Sequence, residues 1–179
     1  CCLLLLTACA ASDLTVERAP NDIVRTRGIP GPYGAASTTL RVPTEVTASA
    51  RIAVHVPTGA EGAPIPGPHP AVVFVHGGLV DPARYGWWAN HVASRGYVVI
   101  LPEHPAGLAI FTQGTATEAL TAVRRAAERA GPLEGLVDPD APAAIAGHSL
   151  GGVVATRNWI GAPEDFATVA IIASFPAPW

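Results

Sequence analysis

Four apolar runs constrain this chain more than any other feature: Ala71-Val72-Val73-Phe74-Val75, Tyr97-Val98-Val99-Ile100-Leu101, Ala143-Ala144-Ile145-Ala146 and Val169 to Ser174. A strand with no polar alternation must be covered on both faces, as in a parallel sheet with helices above and below it. The segments between the runs supply those helices. Asp81 to Arg95 carries Tyr85, Trp88 and Val92 at helical spacing and ends at Gly96. Thr115 to Ala130 puts Leu120, Val123, Ala127 and Ala130 on one face and stops at Gly131-Pro132, and Leu150 to Ile160 reads as a third helix. Strand, helix, strand, helix, strand, helix, strand predicts an α/β fold with a doubly wound, mostly parallel sheet. Ahead of this unit, Thr38 to Val42 and Ala50 to Val56 read as strands, the second with period-two alternation, and a loop with Pro57, Pro64, Pro66, Pro68 and Pro70 follows.

The chain has 179 residues, 49% of them apolar and 14% charged, which excludes disorder and provides the core of one domain. Net charge is −3, and all 11 basic residues are arginines spread along the chain. No basic run tracks a phosphate backbone, so nucleic acid is not an expected partner.

The start of the chain reads differently. There is no Met, and the sequence opens Cys1-Cys2-Leu3-Leu4-Leu5-Leu6-Thr7-Ala8-Cys9. This apolar run falls short of the roughly 20 residues of a membrane span, and it reads as the back half of an export signal. Leu6-Thr7-Ala8-Cys9 resembles a lipobox, in which Cys9 is acylated and anchors the mature protein to a membrane. An ordinary signal cleaved near Ala8 or Ala11 is the alternative. Residues 1–12 are therefore expected to be a partial signal peptide, 13–35 a tether or irregular segment, and 36–179 a partial catalytic domain. All three cysteines lie in the first nine residues. No disulfide, thiolate nucleophile or cysteine metal site is expected after them.

Two motifs carry chemistry. Gly147-His148-Ser149-Leu150-Gly151, followed by Gly152, matches Gly-x-Ser-x-Gly with a strand before it and a helix after it. That context holds a nucleophilic serine on a sharp strand-to-helix turn, with Ser149 Oγ above the carboxyl edge of the sheet. The alternatives are a glycine-rich turn that only packs and one that cradles phosphate. A phosphate loop needs Lys before its Ser or Thr, and this chain contains no Lys. The second motif, Val75-His76-Gly77-Gly78, closes the first buried strand. Acyl transfer needs backbone N–H donors where the oxyanion forms, each worth about 3 to 4 kcal/mol of barrier. The Leu150 and Gly78 N–H groups are the candidates. A plain strand-ending turn is the alternative for Gly78.

Together, His76-Gly77-Gly78, Tyr85-Gly86-Trp87-Trp88-Ala89, Ser94-Arg95-Gly96-Tyr97-Val98-Val99, Val137-Asp138-Pro139 and the Ser149 motif resemble the α/β-hydrolase superfamily. The likeness is nearest to the branch of chlorophyllases, platelet-activating-factor acetylhydrolases, cutinase-like polyester hydrolases and dienelactone-hydrolase-like proteins. It covers about residues 50 to 179. It implies an α/β-hydrolase fold and a serine hydrolase that cleaves carboxylic esters through an acyl-enzyme, without a cofactor, on a small-molecule or polymeric ester. The rivals are a serine peptidase of the prolyl-oligopeptidase type and a non-enzymatic exported lipoprotein that keeps the fold.

The sequence departs from that pattern in three places. Glu103-His104-Pro105-Ala106-Gly107 stands where the branch has Asp-His-Pro-Gly, and the nucleophile strand is rich in alanine. The family places its acid and histidine after the serine. Here no His follows Ser149, and Glu164 and Asp165 come before the last apolar run rather than after a later strand. The segment is thus read as truncated at both ends, with its sheet incomplete on the C-terminal side, and as inert alone. His104 is the one substitute base the chain offers. No histidine pair has metal-ligand spacing, so no metal is expected. Trp87 and Trp88 read as core, with one of them bordering the cleft as the alternative. Trp179 has two readings, a lining of the acyl pocket and packing.

Overall fold

The computed structural model describes residues 15–18, 24–27, 30–43, 49–104 and 114–176. Strands β1 (Thr15–Arg18) and β2 (Val24–Arg27) pair antiparallel. The segment read as a tether is therefore not irregular where it is described.

The main sheet has six strands in the order β3-β4-β6-β5-β7-β8. They are β3 (Gly34–Val42), β4 (Ala50–Thr58), β5 (Ala71–Val75), β6 (Val98–Pro102), β7 (Ala143–His148) and β8 (Phe166–Ile172). Strands β3 and β4 run antiparallel, and β6, β5, β7 and β8 are mutually parallel. Every residue of β5 and β6 is buried, as their unbroken apolar composition demands. In β4 the alternation holds: Ile52, Val54 and Val56 face one core, while Ala53 packs against the other.

Helix α1 (Gly86–Ala93) covers one face of the sheet. Its Ala89 and Ala93 lie against Val72, Phe74, Val99 and Leu101. Helices α2 (Gly114–Ala127) and α3 (Leu150–Gly161) cover the other face. Ala116, Ala119, Leu120, Val123 and Ala127 of α2 bury one stripe at spacings of three and four, and α3 contributes Val154 and Ala155. The chain thus runs from β5 outward to β6 over one face, returns past β5 to β7 over the other, and continues to β8. The winding direction reverses between β5 and β7, which opens a crevice above their carboxyl ends. The fold is α/β with a doubly wound, mostly parallel sheet.

Boundaries shifted where local chemistry intervened. The helix expected from Asp81 begins as a 3-10 turn, Pro82–Tyr85, because Asp81 Oδ1 accepts the Ala83 N–H at 2.9 Å and Pro82 opens the turn. The last strand starts earlier than expected, at the fully buried Phe166, and stops at Ile172, where Ala173 takes a φ of 47°. Trp88 packs on Phe74 with ring centroids 4.4 Å apart, but Trp87 is 68% exposed and is not core. Among the described residues no helix is long and apolar enough to cross a membrane.

Candidate active site

Strand β7 delivers Ser149 to the start of α3 in a backbone conformation that serine rarely adopts, φ 53° and ψ −123°. Holding a non-glycine residue there requires fixed surroundings, and the neighbours provide them. The Ser149 N–H donates to the Ile172 carbonyl at 3.0 Å, and its own carbonyl accepts the Gly152 N–H at 2.9 Å. The side chain makes no capping bond to α3, and the residue is exposed.

The flanking glycines are steric necessities. A Cβ on Gly147 would lie 2.1 Å from the Gly151 carbonyl oxygen, and one on Gly151 would lie 2.1 Å from the Val75 carbonyl oxygen. The turn is therefore pressed between the head of α3 and the end of β5. The same compression brings Gly78 onto Leu150: a Cβ on Gly78 would meet Leu150 Cδ2 at 2.9 Å. Gly147, His148, Ser149, Leu150, Gly151 and Gly78, dispersed over 74 positions of sequence, form one continuous corner. The amino end of α3 points its positive dipole end at this corner.

His76 fixes the loop that carries Gly78. It is buried, and its Nε2 accepts the His104 backbone N–H at 3.0 Å, so the ring proton resides on Nδ1. Nδ1 then donates to the Gly77 carbonyl at 2.9 Å. That carbonyl also accepts the Val80 N–H at 3.3 Å. The Gly78 N–H belongs to the same planar trans peptide and is aimed the opposite way. The Gly77 N–H is committed to the Tyr85 hydroxyl at 3.1 Å, so it is not an oxyanion donor. Leu79, next in the loop, has a φ of 60° and is 83% exposed.

The remaining charged candidates lie elsewhere. Asp165 precedes β8 at the amino end of the parallel strands, where Arg124 Nη1 of α2 binds its Oδ1 at 2.5 Å and Arg124 Nη2 donates to the Ala141 carbonyl at 2.8 Å. That is the edge opposite Ser149. His55 Nδ1 meets Asn90 Oδ1 at 2.7 Å, a link between β4 and α1. Burial pushes the His55 pKa down, partly opposed by that hydrogen bond.

His104 is 3% exposed and packs edge-on to His76, with ring centroids 5.3 Å apart. Burial first, and the neighbouring His76 second, push its pKa down to about 4. An imidazole that releases its proton so readily is poorly matched to taking one from serine near neutrality. His104, the one substitute base the sequence offers, is thus poorly suited to that role in this environment.

The depressed value has a consequence for stability. Above about pH 6.5 the ring is neutral in both folded and unfolded chains and contributes no pH dependence. Between about pH 6.5 and the folded-state value near 4, the unfolded chain binds a proton that the folded chain refuses, so stability falls with pH. The loss at completion is about 3 kcal/mol. Urea midpoints at pH 7 and pH 4 for wild type and His104→Asn test this. The variant's stability deficit at pH 7 should shrink by about that amount at pH 4, whereas a constant deficit contradicts the assignment.

Cys9 and Trp179 lie outside the described residues, as do residues 1–12 of the expected signal segment. No group of three or more His, Cys, Asp or Glu side chains is placed to hold a metal ion among the described residues. Sequence reasoning missed Tyr85, whose spacing marked it only as one apolar position on a helix. Its hydroxyl joins the His76 loop to the serine turn, bonding both Gly77 and, at 2.9 Å, His148 Nδ1.

The model of the alpha/beta hydrolase family matches residues 71–178. Among curated proteins, phospholipase YtpA of Bacillus subtilis (strain 168) is 30% identical over 113 residues, which cover 61% of this chain and 41% of that protein. The chain thus spans about two fifths of the length of that relative.

Proposed function

The chain belongs to the alpha/beta hydrolase family, and from that premise we propose that it is the nucleophile-bearing part of a serine hydrolase acting on carboxylic esters. The observation that carries this reading is Ser149, held at a φ of 53° at the head of α3 with the Gly78 loop packed on Leu150. The Ser149 hydroxyl attacks the ester carbonyl. As the carbonyl carbon becomes tetrahedral, its oxygen takes up charge and is stabilised by the Gly78 and Leu150 N–H groups and the positive end of α3. Collapse of that intermediate expels the alcohol and leaves an acyl-Ser149 ester, which water then hydrolyses.

The serine proton must pass to an imidazole in this scheme, and the imidazole returns it to the leaving alcohol. No histidine follows Ser149 in the sequence, and His104 is unsuited by its low pKa. We assign that role to a histidine of the full-length protein beyond this segment. The relative's name adds a phospholipid to the substrates worth testing, since its acyl chains are joined by carboxylic ester bonds.

Full-length protein offered p-nitrophenyl butyrate, a diacyl phospholipid and a prolyl p-nitroanilide decides among the rivals. Release of p-nitrophenol or fatty acid, with no p-nitroaniline, is expected. Anilide cleavage in preference to both esters supports a peptidase, and turnover of none of the three supports a protein that kept the fold without the chemistry.

A further inference from the structure

The two donors of the oxyanion site sit on different elements, Gly78 on the loop after β5 and Leu150 at the head of α3, and the relative position of these must be held to a fraction of an ångström for both N–H groups to reach one oxygen. We propose that the Tyr85 hydroxyl, acting with His148, is the positioning group that locks the Gly78 loop to the serine turn. The inference rests on the acyl-transfer reading above and names a residue that reading does not require.

The Gly77 amide is a donor only, and it donates to Tyr85 Oη at 3.1 Å. Tyr85 has a single phenolic proton, and among the described residues the other polar atom in reach is His148 Nδ1 at 2.9 Å. The phenol therefore donates to Nδ1, which makes Nδ1 the bare nitrogen of His148 and puts its ring proton on Nε2. The bonds run in one direction, from Gly77 N–H to Tyr85 O–H to His148 Nδ1. Gly77 stands immediately before the donor Gly78, and His148 immediately before Ser149. One phenol thus joins the end of β5 to the end of β7 at the two residues that flank the chemistry.

Packing supports the same reading. The Tyr85 ring lies on Phe74, with centroids 4.9 Å apart, in the aromatic cluster that includes Trp88. The helical segment that presents the hydroxyl is therefore anchored on β5 itself. Gly77 is fitted to this arrangement: a Cβ there would stand 3.0 Å from His148 Nδ1 and 3.1 Å from Tyr85 Oη. At its other side the Gly77 carbonyl is gripped by His76 Nδ1. Both ends of the residue are thus restrained, by His76 through the carbonyl and by Tyr85 through the amide. The orientation left to the Gly78 N–H is the one these two bonds permit.

A group that only holds the oxyanion donors in register matters most when charge develops on the carbonyl oxygen, so its loss should appear in kcat rather than in KM. Tyr85→Phe keeps the ring on Phe74 and removes one oxygen. In the full-length protein with p-nitrophenyl butyrate, it is expected to lower kcat by about 10- to 100-fold and to leave KM within about threefold. His148→Leu should produce a similar loss, and adding it to Tyr85→Phe should cost little more, because both break the same connection. His148→Asn, whose side-chain oxygen can accept the phenol proton, should recover most of what His148→Leu loses.

Wild-type kcat in Tyr85→Phe overturns the proposal, as do additive losses in the double variant or equal losses in His148→Leu and His148→Asn. If Tyr85→Phe does not accumulate as folded protein, the two His148 variants decide by the same criteria. Ser149→Ala measured alongside separates this proposal from its premise. Retained turnover in Ser149→Ala overturns both, whereas an inert Ser149→Ala with a fully active Tyr85→Phe overturns the positioning role alone.

Discussion

Replacing Ser149 by alanine in the full-length protein is expected to lower ester turnover by about 10⁴-fold or more, with the fold intact. The hydroxyl projects from a turn whose backbone is fixed by Ile172 on one side and Gly152 on the other, and water entering the same place lacks that orientation. What survives should be the part due to binding and the oxyanion donors, since Gly78 and Leu150 are untouched. Thermal midpoints of variant and wild type should agree within a few degrees or favour the variant, because alanine removes a polar group from a turn without opening a cavity. Turnover of p-nitrophenyl butyrate within tenfold of wild type would mean that Ser149 is not the nucleophile.

The second large effect concerns the backbone that presents Ser149. Gly151→Ala places a methyl group 2.1 Å from the Val75 carbonyl oxygen and 2.6 Å from that of His76. Both obstacles are main chain of buried residues, the last of β5 and the one after it, so neither side can yield without moving α3 away from β5. A destabilisation of about 3 kcal/mol or more is expected, with a comparable collapse in activity. Gly161→Ala is the matched control on the same helix, since nothing lies within 4 Å of its added Cβ. It should be neutral or stabilise by up to about 1 kcal/mol. Urea midpoints for the two variants check the contrast, and a Gly151→Ala variant as stable as Gly161→Ala contradicts the close approach.

The layered core was legible because burial on both faces writes itself into sequence as unbroken apolar runs. β5, β6 and β7 lie within a residue or two of where those runs place them. Edges were less legible for the converse reason. β3 begins at Gly34, and its Ala35 and Ala36 carry neither alternation nor β-branched side chains. Its extent comes instead from pairing with β4, Gly34 opposite Thr58 through Val42 opposite Ala50.

The serine corner combines both cases. Gly147, Ser149 and Gly151 announce themselves because they fall within five consecutive residues in one short motif, although the atoms that exclude a side chain at Gly151 belong to Val75 and His76. Tyr85 does not, because its two partnerships span eight positions to Gly77 and 63 to His148. A helical period sees only its ring on the core face, while the hydroxyl at the tip of that ring reaches out of the core to the site. His104 is a related case. A histidine after a buried strand reads as available to the crevice, whereas burial first, and the neighbouring His76, 28 positions away, second, lower its affinity for a proton.

Covalent labelling tests most directly whether Ser149 is an activated nucleophile. Full-length protein treated with a fluorophosphonate at neutral pH and digested for mass spectrometry should carry one phosphonyl group, on the peptide containing Gly147-His148-Ser149-Leu150-Gly151. The label should be absent from Ser149→Ala and reduced in Tyr85→Phe. A folded protein that resists the reagent, or that carries the adduct on a serine other than Ser149, would contradict the account.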